Sequence, residues 1–144
     1  MSAAGEPMTV LSDEECWQLL SGVSLGRLAT SIGAQPEIFP VNFVLQNRTV
    51  LFRSAEGTKL ITTVINNMVA FEADGHSDVD AWSVIVKGKA HVLETAADIQ
   101  EAEEAHLRPW LPTLKLRFVR IIPSEITGRR FTFGPEPDRE STFA

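Results

Sequence analysis

The chain has 144 residues, 44% of them apolar and 22% charged, with a formal net charge of −6. That is the size and composition of one globular domain with a substantial core. The acidic balance, without any Lys/Arg run, argues against a nucleic-acid partner; no apolar stretch is long enough to span a bilayer; and the single cysteine, Cys16, excludes an internal disulfide and a multi-cysteine metal centre.

Residues 1–10 lack the basic start and apolar run of a secretory signal, so a disordered lead and a cytoplasmic location are expected. A single domain is expected over 11–133. Ser12 with Glu15 makes a capping box, with Leu11 and Cys16 as its staple, and Cys16, Leu19, Leu20 and Val23 form the stripe of a short amphipathic helix that Gly22 can stop. Strands follow at 25–30 and 37–45, the second alternating with Phe39, Val41, Phe43 and Leu45 on one face. Gln46-Asn47-Arg48 turns the chain into a strand at 49–53, which completes a hairpin. A helix over 58–65 follows Gly57, then strands over 68–74 and 82–93, with Gly88 marking a bend or bulge. Thr95 and Asp98 open a helix over 96–107 that Pro109 ends. Two last strands, 118–122 and 126–133, are separated by Pro123, and 134–144 reads as a flexible tail. Strands outnumber helices with no alternating rhythm, which points to a small barrel with helices at its ends rather than a doubly wound sheet.

The segment with the clearest chemistry is Phe52-Arg53-Ser54-Ala55-Glu56-Gly57-Thr58-Lys59. A strand delivers Arg53, a glycine turn follows, and a helix begins. Helix-start amides favour anions, Arg53 can grip a phosphate through two parallel hydrogen bonds, and Lys59 adds a compact charge. Ser54 and Thr58 supply hydroxyls. The plainer alternative pairs Arg53 with Glu56 and leaves Lys59 solvated. The glycine spacing matches neither a Walker loop nor a dinucleotide fingerprint.

The order of Gly26-Arg27-Leu28-Ala29, Pro40-Val41-Asn42-Phe43, the Arg53–Lys59 segment, Ala70-Phe71-Glu72-Ala73-Asp74, the run from Trp82 to Ala90, and Gly128-Arg129-Arg130-Phe131 resembles the pyridoxamine 5′-phosphate oxidase-like family of flavin-binding proteins, especially its small actinobacterial-type members. The resemblance implies a mainly β fold, a split β-barrel with flanking short helices. It implies FMN held by Arg53 and Lys59 with Ser54 and Thr58 assisting, and Val41 and Asn42 passing along the isoalloxazine through backbone groups. It further implies a homodimer with flavin sites at the interface, where Trp82 and Ser83 reach the ring from the other subunit and Arg129 lies close. Core packing for Trp82, a strand-end role for Asn42, and pairing of Arg27 and Arg129 with Glu72 or Asp74 are the structural alternatives.

Where true pyridoxamine phosphate oxidases carry Ser-Arg-Lys, this chain has Gly57-Thr58-Lys59, and it lacks their C-terminal Arg-x-His segment. The resemblance therefore carries fold and flavin but not the vitamin substrate. It implies an FMN-dependent oxidoreductase with a nicotinamide donor or a small-molecule substrate. The alternatives are a deazaflavin-dependent reductase and a non-catalytic flavin or haem carrier or sensor. His76, His91 and His106 are widely spaced and belong to no metal motif.

Overall fold

The computed structural model describes residues 6–65, 67–108 and 116–136. Its elements run β1 (Met8–Val10), α1 (Asp13–Ser21), β2 (Leu25–Ile32), β3 (Gln35–Gln46), β4 (Thr49–Ala55), α2 (Lys59–Val64), β5 (Met68–His76), β6 (Asp80–Val92), α3 (Ala96–Glu103) and β7 (Leu116–Thr132). All strand pairs are antiparallel, in the order β1-β7-β4-β3-β2-β5-β6, and a further β6–β7 pairing closes β2 to β7 into a ring. This is the mainly β barrel with short flanking helices that the pattern predicts.

Alternation on the strands fills the ring. Val41 and Phe43 of β3, Val50 and Phe52 of β4, Val69, Phe71 and Ala73 of β5, and Val84, Val86 and Ala90 of β6 are all buried in one cluster. Phe43 and Phe71 meet edge to face, their centroids 4.7 Å apart. Each of these large side chains contributes roughly 1.5–3 kcal/mol through burial. Helix α1 starts as its sequence dictates: Ser12 Oγ accepts from the Glu15 amide at 3.2 Å, and Glu15 Oε1 accepts from the Ser12 amide at 3.0 Å. It buries Cys16, Trp17 and Leu20 against the ring; Trp17 falls outside the stripe read from sequence, which widens the buried face.

Four expectations need adjusting. Met8–Val10, within the lead read as disordered, pairs with Arg129–Phe131 of β7 and is a strand, because β7 offers it a free edge. Helix α3 ends at Glu103 rather than at residue 107, and His106 takes a left-handed φ of 53° that turns the chain back toward the barrel. Helix α2 is six residues long, with Thr58 outside it as the cap. The strands expected on either side of Pro123 are one continuous strand, β7. Pro123 faces Gly88, Glu125 faces Lys87, and Ser124 is the extra residue of a bulge, its hydroxyl donating to the Lys87 carbonyl at 3.1 Å. Glycine is required at position 88, where a Cβ would lie 2.1 Å from the Ile122 carbonyl oxygen. Of the tail expected from 134 onward, residues 137–144 lie outside the described residues.

One irregularity in the ring positions the site. Strands β3 and β4 pair from Gln46↔Thr49 to Phe43↔Phe52 and then part. Beyond that point β3 continues on β2, with Asn42 opposite Leu25 and Pro40 opposite Arg27, while β4 continues on β7, with Arg53 opposite Phe118 and Ala55 opposite Leu116. Pro40 has no N–H with which to extend a ladder. The barrel is split here.

Candidate functional site

The split opens into a cleft of about 160 Å³. Pro40, Val41 and Asn42 form one wall, Arg53, Ser54 and Ala55 the other, with Thr58 and Leu60 beside the β4 wall and Leu107, Arg108 and Leu116 completing it. Because the two strands no longer pair with each other, their facing backbone groups are available to a ligand.

Arg53 is the most constrained polar group. It alternates with Phe52, so when Phe52 points into the ring Arg53 points out, over the Phe118 ring directly across on β7 at 4.5 Å from the centroid. Its Nε is buried and makes no hydrogen bond among the described residues. A guanidinium held over an aromatic face still has N–H groups to offer a planar or tetrahedral anion. Glu56 does not neutralise it; that carboxylate pairs with Arg117 at 3.5 Å. Among the described residues no carboxylate lines the cleft.

The neighbouring hydroxyls are partly committed. Thr58 Oγ1 donates to the Ala55 carbonyl at 2.8 Å and accepts from the Ile61 amide at 3.4 Å, capping α2. Its donor thus used, the 3.2 Å contact with Ser54 has Ser54 donating. Ser54 can turn to a ligand at the loss of that bond; Thr58 chiefly holds the turn. Val41 is a core side chain and offers only its backbone to the cleft, whereas Asn42 Nδ2 donates to the Arg108 carbonyl across the mouth.

Lys59 stands apart from the cradle expected of it. Its ammonium pairs with Glu37 on β3, it is exposed, and it does not line the cleft, so Arg53 and Lys59 are not brought together on one ligand site. The reason is the pairing itself: Glu37, at the start of the expected strand, is on β3 within reach of Lys59 at the start of α2. Trp82, Ser83 and Arg129 are not in the cleft of their own chain either. They sit together on the β6–β7 ladder, Ser83 facing Arg129 and Trp82 facing Arg130, with Trp82 half-buried against the core and close enough to Gly75 that a Cβ there would meet its indole at 2.6 Å. Arg27 has the structural role weighed for it: it bridges Glu72 and Asp74, each at 2.8 Å. Burial pushes the Glu72 carboxyl above its ordinary range, a hydrogen bond with Asp74 adds to this, and Arg27 opposes it.

Arg108 is the cleft residue that sequence reasoning missed. It precedes Pro109 at what reads as a helix end, and only the left-handed turn at His106 carries it back to β3. Among the described residues no three His, Cys, Asp or Glu side chains gather as a metal site, and no helix is long and apolar enough to cross a membrane.

A six-stranded ring split at one strand pair, with a guanidinium-lined cleft in the split, is the architecture of the flavin-binding split barrels. The chain belongs to the pyridoxamine 5′-phosphate oxidase family, whose model matches residues 12–130. An uncharacterised protein of Mycobacterium tuberculosis is 60% identical over 101 residues, which cover 70% of this chain and 92% of that protein. A structure described as the FAD binding protein from Mycobacterium smegmatis is 54% identical, superposes with a TM-score of 0.79, and covers 85% of this chain and 99% of its own. A structure from Corynebacterium glutamicum is 42% identical with a TM-score of 0.84, covering 93% and 100%.

Proposed function

We propose that the protein is a cytoplasmic, FMN-dependent oxidoreductase that binds its flavin phosphate at Arg53 in the β3–β4 split and takes hydride from a nicotinamide or another small organic donor. The observation that carries this reading is the half-buried, aromatic-backed Arg53 guanidinium, which among the described residues has no carboxylate partner and shares its cleft with no acid. In a chain of net charge −6, that is a site kept for an anion.

The flavin supplies the redox chemistry when bound. The chain's own contribution is grip and orientation: Arg53 fixes the anionic tail, and the unpaired edge from Pro40 to Asn42 offers backbone groups for the polar rim of the ring system.

The cleft's 160 Å³ is below the roughly 300–1,000 Å³ of small-molecule sites. This favours a homodimer in which a second copy supplies the remaining wall, from the surface that carries Trp82, Ser83 and Arg129. The relative described as FAD binding favours a second reading, in which FAD is the flavin.

The test is titration of the purified protein with FMN, FAD and a deazaflavin, followed by addition of NADPH and a dye acceptor. Saturable quenching of FMN fluorescence and turnover are expected. A colourless protein that quenches none of the three would overturn the flavin reading, and tight binding without turnover would replace the enzyme by a carrier.

A further inference from the structure

Of the eight arginines among the described residues, Arg27, Arg48, Arg117, Arg120 and Arg130 each pair with a carboxylate. Arg53, Arg108 and Arg129 pair with none among those residues, and two of these three, Arg53 and Arg108, line the same cleft. Acids outnumber bases by six in this chain, so two arginines lining one cleft without an acid among the described residues run against the general charge balance. Their placement also differs. Arg53 stands on the β4 wall over Phe118, while Arg108 is tied to the opposite wall, its carbonyl accepting from Asn42 Nδ2 on β3.

We propose that Arg108 is a second phosphoryl-binding residue of the cleft, holding the ligand's anionic tail from the β3 side while Arg53 holds it from the β4 side. This deepens the flavin reading and rests on it. The two arginines select phosphorylated flavins over riboflavin, because a neutral tail would leave both guanidiniums without a counter-charge. Asn42 is a positioning residue here, acting through the Arg108 backbone. The shared chemistry is a phosphoryl oxygen, supplied by the monophosphate of FMN or by the second phosphate of FAD.

The experiment is fluorescence titration of wild type, Arg108→Ala and Arg108→Lys with riboflavin, FMN and FAD, with a thermal-shift series in inorganic pyrophosphate. Arg108→Ala should raise Kd roughly ten- to hundredfold for a phosphorylated flavin and change riboflavin by less than about twofold. Loss for FMN and FAD alike assigns Arg108 to the phosphate they share, and loss for FAD alone to the second. Arg108→Lys should recover part of the loss, since charge is kept and the fork is not. Equal affinities of wild type and Arg108→Ala for all three flavins would overturn the inference. If no flavin binds the wild type, the flavin reading fails instead. Stabilisation by pyrophosphate that is lost in Arg108→Ala would then still uphold the two-arginine anion site, and its absence would remove that as well.

Discussion

Strands β3 and β4 are one hairpin with two halves that do opposite things. From Phe43 to Gln46 and Thr49 to Phe52 they pair, and their inward side chains Phe43, Val50 and Phe52 are nearly or wholly inaccessible. From Pro40 to Asn42 and Arg53 to Ala55 they part and line a cleft. The same two backbones thus supply core on one side of Phe52 and binding groups on the other. Stability comes from backbone groups satisfied by each other; recognition needs groups left for something else.

That contrast can be broken from the paired half first. Phe52→Ala removes a fully buried ring and should cost about 3–5 kcal/mol, read from urea denaturation. Next, Gly88→Ala drives a Cβ into the Ile122 carbonyl and should cost about 1–3 kcal/mol by displacing the β6–β7 bulge, visible as a lower Tm with the cleft residues unchanged. Ser12→Ala removes the α1 cap, which does not line the cleft, and should cost about 1 kcal/mol at neutral pH with flavin affinity intact.

The cap effect has a sign with pH. Hydrogen bonds from the Ser12 backbone, then from its side chain, hold the Glu15 carboxyl below its ordinary 4.5. A folded-state value below the unfolded one stabilises above the unfolded value and is lost as pH falls through the folded one. Ser12→Ala keeps the backbone bond and loses only the side-chain part, so the gap between wild type and variant should narrow slightly below about pH 4, measured by denaturation at pH 7 and pH 3. The smallest effect belongs to the parted half: Arg53→Ala should shift stability by less than about 1 kcal/mol, since the side chain is half-exposed and has no ion pair among the described residues.

Much of this was legible in the sequence, and the exceptions have physical reasons. Period-two alternation placed Phe43, Phe71 and Val84 in the core, and the Ser12–Glu15 box placed the start of α1, because both signals are local. Pro123 misled, since a bulge in β7, facing Gly88 on the neighbouring strand, absorbs it without breaking the strand. Arg53, Ser54, Thr58, Val41 and Asn42 line one cleft, the strand residues because the β3–β4 hairpin sets its two strands across from each other and Thr58 because it caps the helix that follows β4. Lys59 and Arg108 were not legible. Their positions depend on the placement of β3 beside α2, which sets Glu37 against Lys59, and on a left-handed residue at His106, both set by tertiary packing.

The most direct test is FMN titration of wild type, Arg53→Ala and Lys59→Ala, followed by flavin fluorescence. Saturable quenching in wild type, a Kd raised at least about tenfold in Arg53→Ala, and a change of no more than about threefold in Lys59→Ala are expected. Unchanged affinity in Arg53→Ala would contradict the claim that the parted half of the hairpin holds the flavin phosphate.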